Sequence, residues 1–509
     1  MLFASLFAVS FAAGQKQTEN YARGEILVKF KNGVTDESIS TLNDRFRGKT
    51  IETLGDLGWQ RIAIPKNADV DAFVRRYQAL DSVESAQPNF FYSLQATPND
   101  PGFPNSGMYG LTKISAPQAW DIATGSNAVV IANIDTGSRY THEDLAANMW
   151  VNPGETAGNN IDDDGNGFID DIYGYDFFFN DADPLDEHGH GTHTAGTVGA
   201  VGNNGLGVVG VNWNVKIMTI KIYDNDGFGT TAAMLINAYN YIRMMKDRGI
   251  NIRVTNNSYG GCDEACGYDQ ATKDALDAMG DAGILNVFAA GNDARNTDVN
   301  PAFPASYTSP SILSVANSNS TDTRNGSSNF GIVTVDLAAP GTSILSTTRA
   351  SNSSYGPLTG TSMASPHVAG AAALLAGHNP SLSPASLKAT LMNTVDQLPQ
   401  WSGLVKSGGR LNVFSALQNQ TVCSIGLASE ILDIHTKGGL VEVNATAAAN
   451  CDYGIKSNVN WIHVRSENVG SANSTIRLWI RVNPMMSRTG TVRIGDRLIT
   501  IRQRRPGNL

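Results

Sequence analysis

Beyond its first 13 residues the chain has no apolar stretch approaching the length needed to cross a bilayer, which argues against a transmembrane anchor. Cysteine is scarce. Four are spaced as Cys262 with Cys266 and Cys423 with Cys451, and neither pair has the companions of a zinc site. In a secreted chain they would close two disulfides, one on a small surface loop and one in a C-terminal module. A basic excess is also missing, since the net charge is −10. Lys and Arg balance Asp and Glu over residues 1–95 (11 of each), but residues 96–422 hold 15 against 30. An acidic middle speaks against nucleic acid as a partner, and the excess of 11 over 6 in residues 423–509 reads as a solvated face. No repeat of fixed period occurs.

With 41% hydrophobic and 17% charged residues over 509 positions, the chain is globular and long enough for more than one core. The apolar run Leu2 to Ala13, broken by Ser5 and Ser10 and followed by GQKQTEN, has the form of a secretory signal ending near Ala12 or Ala13, though no basic residue precedes the run. Residues 1–13 are therefore expected to be removed, leaving a soluble, secreted product; a lysosome-like compartment is the alternative.

Residues 24 to 93 read as strand, helix, strand, strand, helix, strand, the split βαβ order. The second helix is clearest: Asp69 is its cap, and Val70, Phe73, Val74, Tyr77 and Leu80 form one stripe. A Pro-bearing segment, residues 95–107, reads as a linker. From Tyr109 to about Ala416, apolar strands such as AVVIANID, VKIMTIKI and ILNVFAA alternate with helices such as MLINAYNYIRMMKDR. Continuous apolar strands imply a mostly parallel sheet covered on both faces, an α/β fold whose strand ends carry the chemistry. Residues 423–509 lose helical periodicity and become short alternating strands, the pattern of an all-β sandwich.

The segment DEHGHGTHTAG sets His188, His190 and His193 close together. A shared metal is one reading. The other is one catalytic base with two bystanders, because Gly189 and Gly191 suit a loop feeding a helix better than a ligand-bearing helix. Acyl transfer by a serine needs a hydroxyl, an imidazole, a carboxylate and donors for the oxyanion. Asp135 ends a strand and precedes Thr136 and Gly137; Ser362 opens an Ala-rich helix after Gly360; Asn292 ends another strand and carries a carboxamide. Singly, each reads as a cap or turn residue.

Together, the segments NIDTG, HGHGTHTAG, AAGN and GTSMASP, in that order, closely resemble the signature segments of the subtilisin-like serine proteases, over residues 109–416. The resemblance implies a serine endopeptidase with Ser362 as nucleophile, His190 as base, Asp135 holding the imidazole, and Asn292 with the Ser362 N–H as oxyanion donors. His193 becomes structural, and His188 has no assigned role. Ser258, Tyr259 and Gly260 match the substrate-pairing strand, beside Ala289, Ala290 and Gly291 in the pocket wall, with Asp293 a candidate for favouring a basic side chain at the rim. Substrates would be proteins or peptides, with no organic cofactor. The rival reading is a catalytically silent adhesin on the same scaffold.

The loop NNIDDDGNGFIDD offers Asp162, Asp164, Asn166, Asp170 and Asp171 as oxygen ligands, and it departs from an EF-hand in its spacing after Gly165 and in lacking the final Glu. It is read as a calcium loop of subtilase type. Residues 16–94 resemble the propeptide of that family, a folding helper and temporary inhibitor released near Leu94 to Pro98. Residues 423–509 resemble the BACON-like β-sandwich modules of secreted enzymes in Cys423, NCDY, NWIHV, RTGTVRIG and ITIRQ, for which a carbohydrate or surface ligand is the usual expectation. Trp461 and Trp479 are expected in its core.

Overall fold

A computed structural model describes residues 21–90, 96–104, 106–260 and 267–504. The chain divides into two units, Met1–Leu94 and Gln95–Leu509. In the first, Ile26, Val28 and Phe30 alternate with less buried neighbours along the strand Tyr21–Phe30, so one face of a sheet is dry. The strands Lys49–Leu54, Trp59–Ala63, Tyr21–Phe30 and Val83–Phe90 lie in that order, all antiparallel. Two helices cover the dry face. Thr35 caps Asp36–Arg45 and Asp69 caps Val70–Gln78, each through a side-chain oxygen. Val70, Phe73, Val74 and Tyr77 are buried, as the stripe predicts, while Leu80 lies past the helix end and is half-buried.

The second unit is organised by a nine-stranded sheet. Its order is Asp396–Gln397, Gly409–Arg410, Leu337–Pro340, Ile312–Ser318, Leu285–Ala289, Ile252–Asn257, Gly125–Asp135, Asn214–Lys221 and Gly174–Asp176, parallel except for the first pair. Successive residues of the strand Gly125–Asp135 enter different cores. Val129 and Ile131 pack on one face with helices His190–Gly199 and Thr361–His378, whereas Val130, Ala132 and Ile134 pack on the other with Ala232–Asp247 and Gln270–Asp281. Burial on both faces is why these strands read as unbroken apolar runs. Among the described residues, no helix is long and apolar enough to cross a membrane.

The segment expected as a linker is instead anchored, over residues 96–104, to this unit. Asp100, 1% exposed, accepts from the amides of Asn203 and Asn204, and Gly102 N donates to Gly207 O at 2.7 Å. The buried carboxylate needs those donors, and they belong to the loop 203–208.

Residues 426–503 form two facing sheets of four and five strands around Ile455, Ile462, Ile476, Leu478, Val492 and Ile499. Trp461 joins this core, with the Arg488 guanidinium 4.2 Å from its ring centroid. Trp479 does not: the alternation in Ser474–Ile480 turns Leu478 and Ile480 inward, so Trp479 faces outward, 43% exposed, beside Leu440 and His463.

This β region has its own core but belongs to the same unit as the nine-stranded sheet. Cys423 and Cys451 form the expected disulfide; Cys262 and Cys266 lie outside the described residues. Lys388, on helix Pro384–Asn393, sits buried between Asp336 (3.4 Å) and Asp452 (3.1 Å), and Lys406 reaches Asp452 at 3.6 Å. Burial opposes the charge on Lys388, but the two carboxylates raise its pKa; Asp452 is likewise lowered by Lys388 and Lys406 against the effect of burial. Asp452→Asn would leave Lys388 buried with half its counter-charge, an expected loss of about 3 kcal/mol. The check is the urea midpoint of the variant against the parent chain, and an unchanged midpoint would show that the network does not hold the β region in place.

Candidate active site

Asp135 stands at the tip of the strand Gly125–Asp135, 2% exposed. Its Oδ1 accepts from the Thr136 amide at 2.8 Å and lies 2.7 Å from His190 Nδ1, while Oδ2 accepts from the Thr194 hydroxyl at 3.1 Å. His190 is the first residue of helix His190–Gly199. Two glycines make that entry possible. Gly189 turns the chain with φ +107°, and a Cβ on Gly191 would lie 2.1 Å from Gly137 O.

The three imidazoles do not converge. His193 is fully buried and its Nε2 donates to Ile344 O (2.8 Å) and Gly356 O (3.1 Å). Burial pushes it down to about 4, so it is a neutral structural group. His188 is exposed, its ring 6.4 Å from that of His190.

Ser362 lies at the start of helix Thr361–His378, and its hydroxyl donates to Ser258 O at 3.1 Å. Pro366 explains a second tie. Having no N–H, it leaves the Ser362 carbonyl without its helical donor, and the Ser258 hydroxyl fills that place at 2.9 Å. The polar chain continues inward: Asn256 Nδ2 donates to the Ser258 hydroxyl and to Asn133 Oδ1, which also accepts from Thr194. The Ser362 hydroxyl and the Asp135–His190 pair are thus fixed in one network, with the hydroxyl turned toward Ser258 in this state.

Asn292 is exposed, and its Oδ1 accepts from the Thr361 amide (2.9 Å) and hydroxyl (3.1 Å). That assignment leaves Nδ2 as the donor of the group, and a Cβ on Gly360 would lie 3.5 Å from Nδ2 and 3.6 Å from Oδ1. A helix N-terminus and a free carboxamide donor beside a serine can stabilise an oxyanion.

Ser258, Tyr259 and Gly260 follow the strand Ile252–Asn257. Tyr259 is buried, donating to Asn257 Oδ1 and meeting the Tyr239 hydroxyl at 2.5 Å, whereas Gly260 is exposed with open space at its Cβ position. Ala289 ends its strand and is buried; Ala290 packs into a small core with Trp401 and Val405, so only its backbone is available to a pocket. A Cβ on Gly291 would lie 2.4 Å from Asn329 Nδ2. Asp293 is already paired with Arg295, Oδ2 to Nη2 at 2.6 Å, which removes the reason to expect it to recruit a basic side chain.

Asp162 accepts from the amides of Asn166 and Gly167, and Asp170 from those of Gly158, Asn159 and Asn160, while Glu155 accepts from the amides of Asp164 and Asp170. Asp164 and Asp171 converge instead with Glu155, their oxygens within 4.8 Å of one another. Asn166 donates to both aspartates, at 3.2 and 3.0 Å, and Asn152 does the same at 3.1 and 2.8 Å. Burial pushes Asp171 up to about 6, against the donors around it. Glu155 lies upstream of the Asp-rich run, and no spacing rule draws it in.

Residues 126–418 match the Subtilase family, and residues 7–89 match the Fervidolysin N-terminal prodomain. The chain belongs to the subtilase family. Among its relatives, thermitase of Thermoactinomyces vulgaris is 40% identical over 322 residues, 63% of this chain and 99% of that protein. The extracellular basic protease of Dichelobacter nodosus is 30% identical over 523 residues, 92% of this chain and 82% of that protein. A solved protease from Pseudoalteromonas arctica PAMC 21717 superposes with a TM-score of 0.50 at 30% identity, covering 63% of this chain and 99% of that one. This subtilase is therefore a subtilisin-like serine protease with a prodomain.

Burial works against charge on His190, but the charge and hydrogen bond of Asp135, with a further contribution from Asp186, raise its pKa. Only the neutral ring accepts a proton, so peptide hydrolysis by this subtilase is expected to rise with pH through a midpoint above about 6.5. A pH series of kcat/KM checks this, and an optimum near pH 4 would remove His190 as the base.

Proposed function

We propose that this subtilase is a secreted serine endopeptidase, made as a zymogen that cuts itself and stabilised by calcium. In this reading Ser362 Oγ attacks the peptide carbonyl while His190 Nε2 takes its proton. Asp135 keeps the Nδ1–H tautomer and faces the imidazolium that forms. The oxyanion is met by Asn292 Nδ2 and the Ser362 N–H, one such donor contributing roughly 3–4 kcal/mol. His190 then passes the proton to the leaving amine, and water repeats the sequence on the acyl-enzyme. The observation that carries the proposal is the 2.7 Å contact of His190 Nδ1 with a buried Asp135, in one hydrogen-bonded network with Ser362.

Secretion is supported by the leader pattern of residues 1–13 and by the relative described as extracellular. The prodomain match over residues 7–89 supports residues 16–94 as the chain's own inhibitor; release is proposed near Leu94 to Pro98. That cut is then the enzyme's first turnover, favoured by effective concentration. Ser362→Ala is expected to fold yet remain at full length minus the leader, while wild type separates into propeptide and mature chain. Intact-mass spectra of both, from a host without other subtilases, decide it. Identical processing would mean that another protease makes the cut.

Glu155, Asp164 and Asp171 supply a hard-oxygen set suited to calcium, with Asn152 and Asn166 donating to the two aspartates. A cation there would offset the repulsion between Asp164 and Asp171 and stabilise only the folded state. Excess chelator should lower the thermal midpoint of wild type and leave that of Glu155→Gln/Asp164→Asn nearly unchanged; equal shifts in both would place any calcium elsewhere.

A further inference from the structure

Asp186 is 2% exposed and takes no part in the proposed chemistry, yet it accepts five hydrogen bonds. Its Oδ1 receives the Thr136 hydroxyl (2.9 Å) and the amides of His188 (3.0 Å) and Gly189 (2.7 Å). Its Oδ2 receives the amide (2.8 Å) and hydroxyl (2.6 Å) of Thr192. Thr136 completes a bridge, because its oxygen also accepts the Gly191 amide at 3.0 Å. These donors flank both members of the Asp135–His190 pair: Thr136 follows Asp135, and residues 188, 189, 191 and 192 surround His190.

We propose that Asp186 is a positioning residue for the reaction: through Thr136 and the amides around His190, it locks the strand tip bearing Asp135 to the turn bearing the imidazole. The inference rests on the reading of His190 and Ser362 given above. A carboxylate is required because every group pointing at it is a donor. Asn at this position would present an NH2 to one set of donors, either those of Thr192 or the three at Oδ1. Without the clamp, Gly189 and Gly191 leave the turn free to shift, and a displacement of about 1 Å at the base costs on the order of 10²-fold in rate.

The charge has a second effect, on the proton affinity of the ring. Acting on the ring are Asp135 and Asp186, with the His188 ring 6.4 Å away and His193 one turn along its helix. Lys221, on the neighbouring strand, is paired with Asp176 and Glu187, and the Arg349 side chain packs over Gly189. Asp186 raises the proton affinity of the ring by its charge alone, with no hydrogen bond to the imidazole.

The test compares wild type, Asp186→Asn, Thr136→Val and Thr136→Ser, each expressed as the full chain and checked for folding by circular dichroism and thermal midpoint. Hydrolysis of a peptide ester is then followed against pH, with active sites counted by a fluorophosphonate. Per active site, Asp186→Asn and Thr136→Val are expected to lose kcat on the order of 10²-fold with KM within about twofold, and Thr136→Ser to recover most of it. Asp186→Asn should also move the acid limb down by about half a pH unit or more, while Thr136→Val, which changes no charge, leaves it in place. If Asp186→Asn does not fold, the contrast between Val and Ser at position 136 decides alone. A folded Thr136→Val with wild-type kcat, or a folded Asp186→Asn with unchanged kcat and acid limb, would overturn the inference. Failure of the wild type to label would instead overturn the proposed function, and this inference with it.

Discussion

A carboxylate stays buried only where donors replace the water it has lost. Asp135 makes that demand at the tip of the strand Gly125–Asp135, where it is 2% exposed, and three donors answer it: the next amide in the chain, the imidazole of His190 and the hydroxyl of Thr194. Two of these come from a helix that begins 55 residues later. That helix has to start against the strand tip, which forces Gly191 onto Gly137 O and a left-handed turn at Gly189. The glycine-rich character of residues 186–196 follows from the site of one buried charge.

Most of what surrounds that charge is legible in the chain. Strands buried on both faces must be apolar throughout, so AVVIANID and ILNVFAA declare a covered parallel sheet; Asp135 ends the first run, whereas Asn292 lies beyond the strand Leu285–Ala289 and not at its end. The capped helix Val70–Gln78 is legible because one face is buried and its period is regular. What escapes is set by partners distant in sequence and without period. Glu155 joins Asp164 and Asp171 through the folding of a loop, not by spacing. Residues 96–104 look like a linker until the amides of Asn203 and Asn204 are seen to need Asp100. Trp479 was expected inside because tryptophan is large and apolar; the phase of its strand, fixed by Leu478 and Ile480, overrides composition.

Buried charge also explains why the β region at residues 426–503 does not part from the nine-stranded sheet. Lys388 and Asp336 on one side and Asp452 on the other are each under a tenth exposed. Separating them would not simply expose apolar surface, as in a loosely tethered module. It would also break ion pairs formed across the boundary, and the helix Pro384–Asn393 that carries Lys388 additionally ties the chain at Cys423 through the Ser386 hydroxyl. The disulfide ends at Cys451, next to Asp452, so the covalent tie and the ion pair meet at the boundary between the two cores.

A proline inside the helix that begins at Thr361 would ordinarily weaken it by leaving one carbonyl unpaired. Here the unpaired carbonyl belongs to Ser362, and the hydroxyl that satisfies it belongs to Ser258, at the end of a different strand. The same Ser258 offers its carbonyl to the Ser362 hydroxyl and receives a donor from Asn256, which reaches on to Asn133 two residues before Asp135. The proposed nucleophile is therefore held from the strand that precedes the proposed substrate-pairing residues, not by its own helix alone. A shift of that strand would carry Ser362 with it, so peptide register and nucleophile position are set by one hydrogen-bonded unit. Local helix stability has been exchanged for alignment between the chain that would be cut and the oxygen that would cut it.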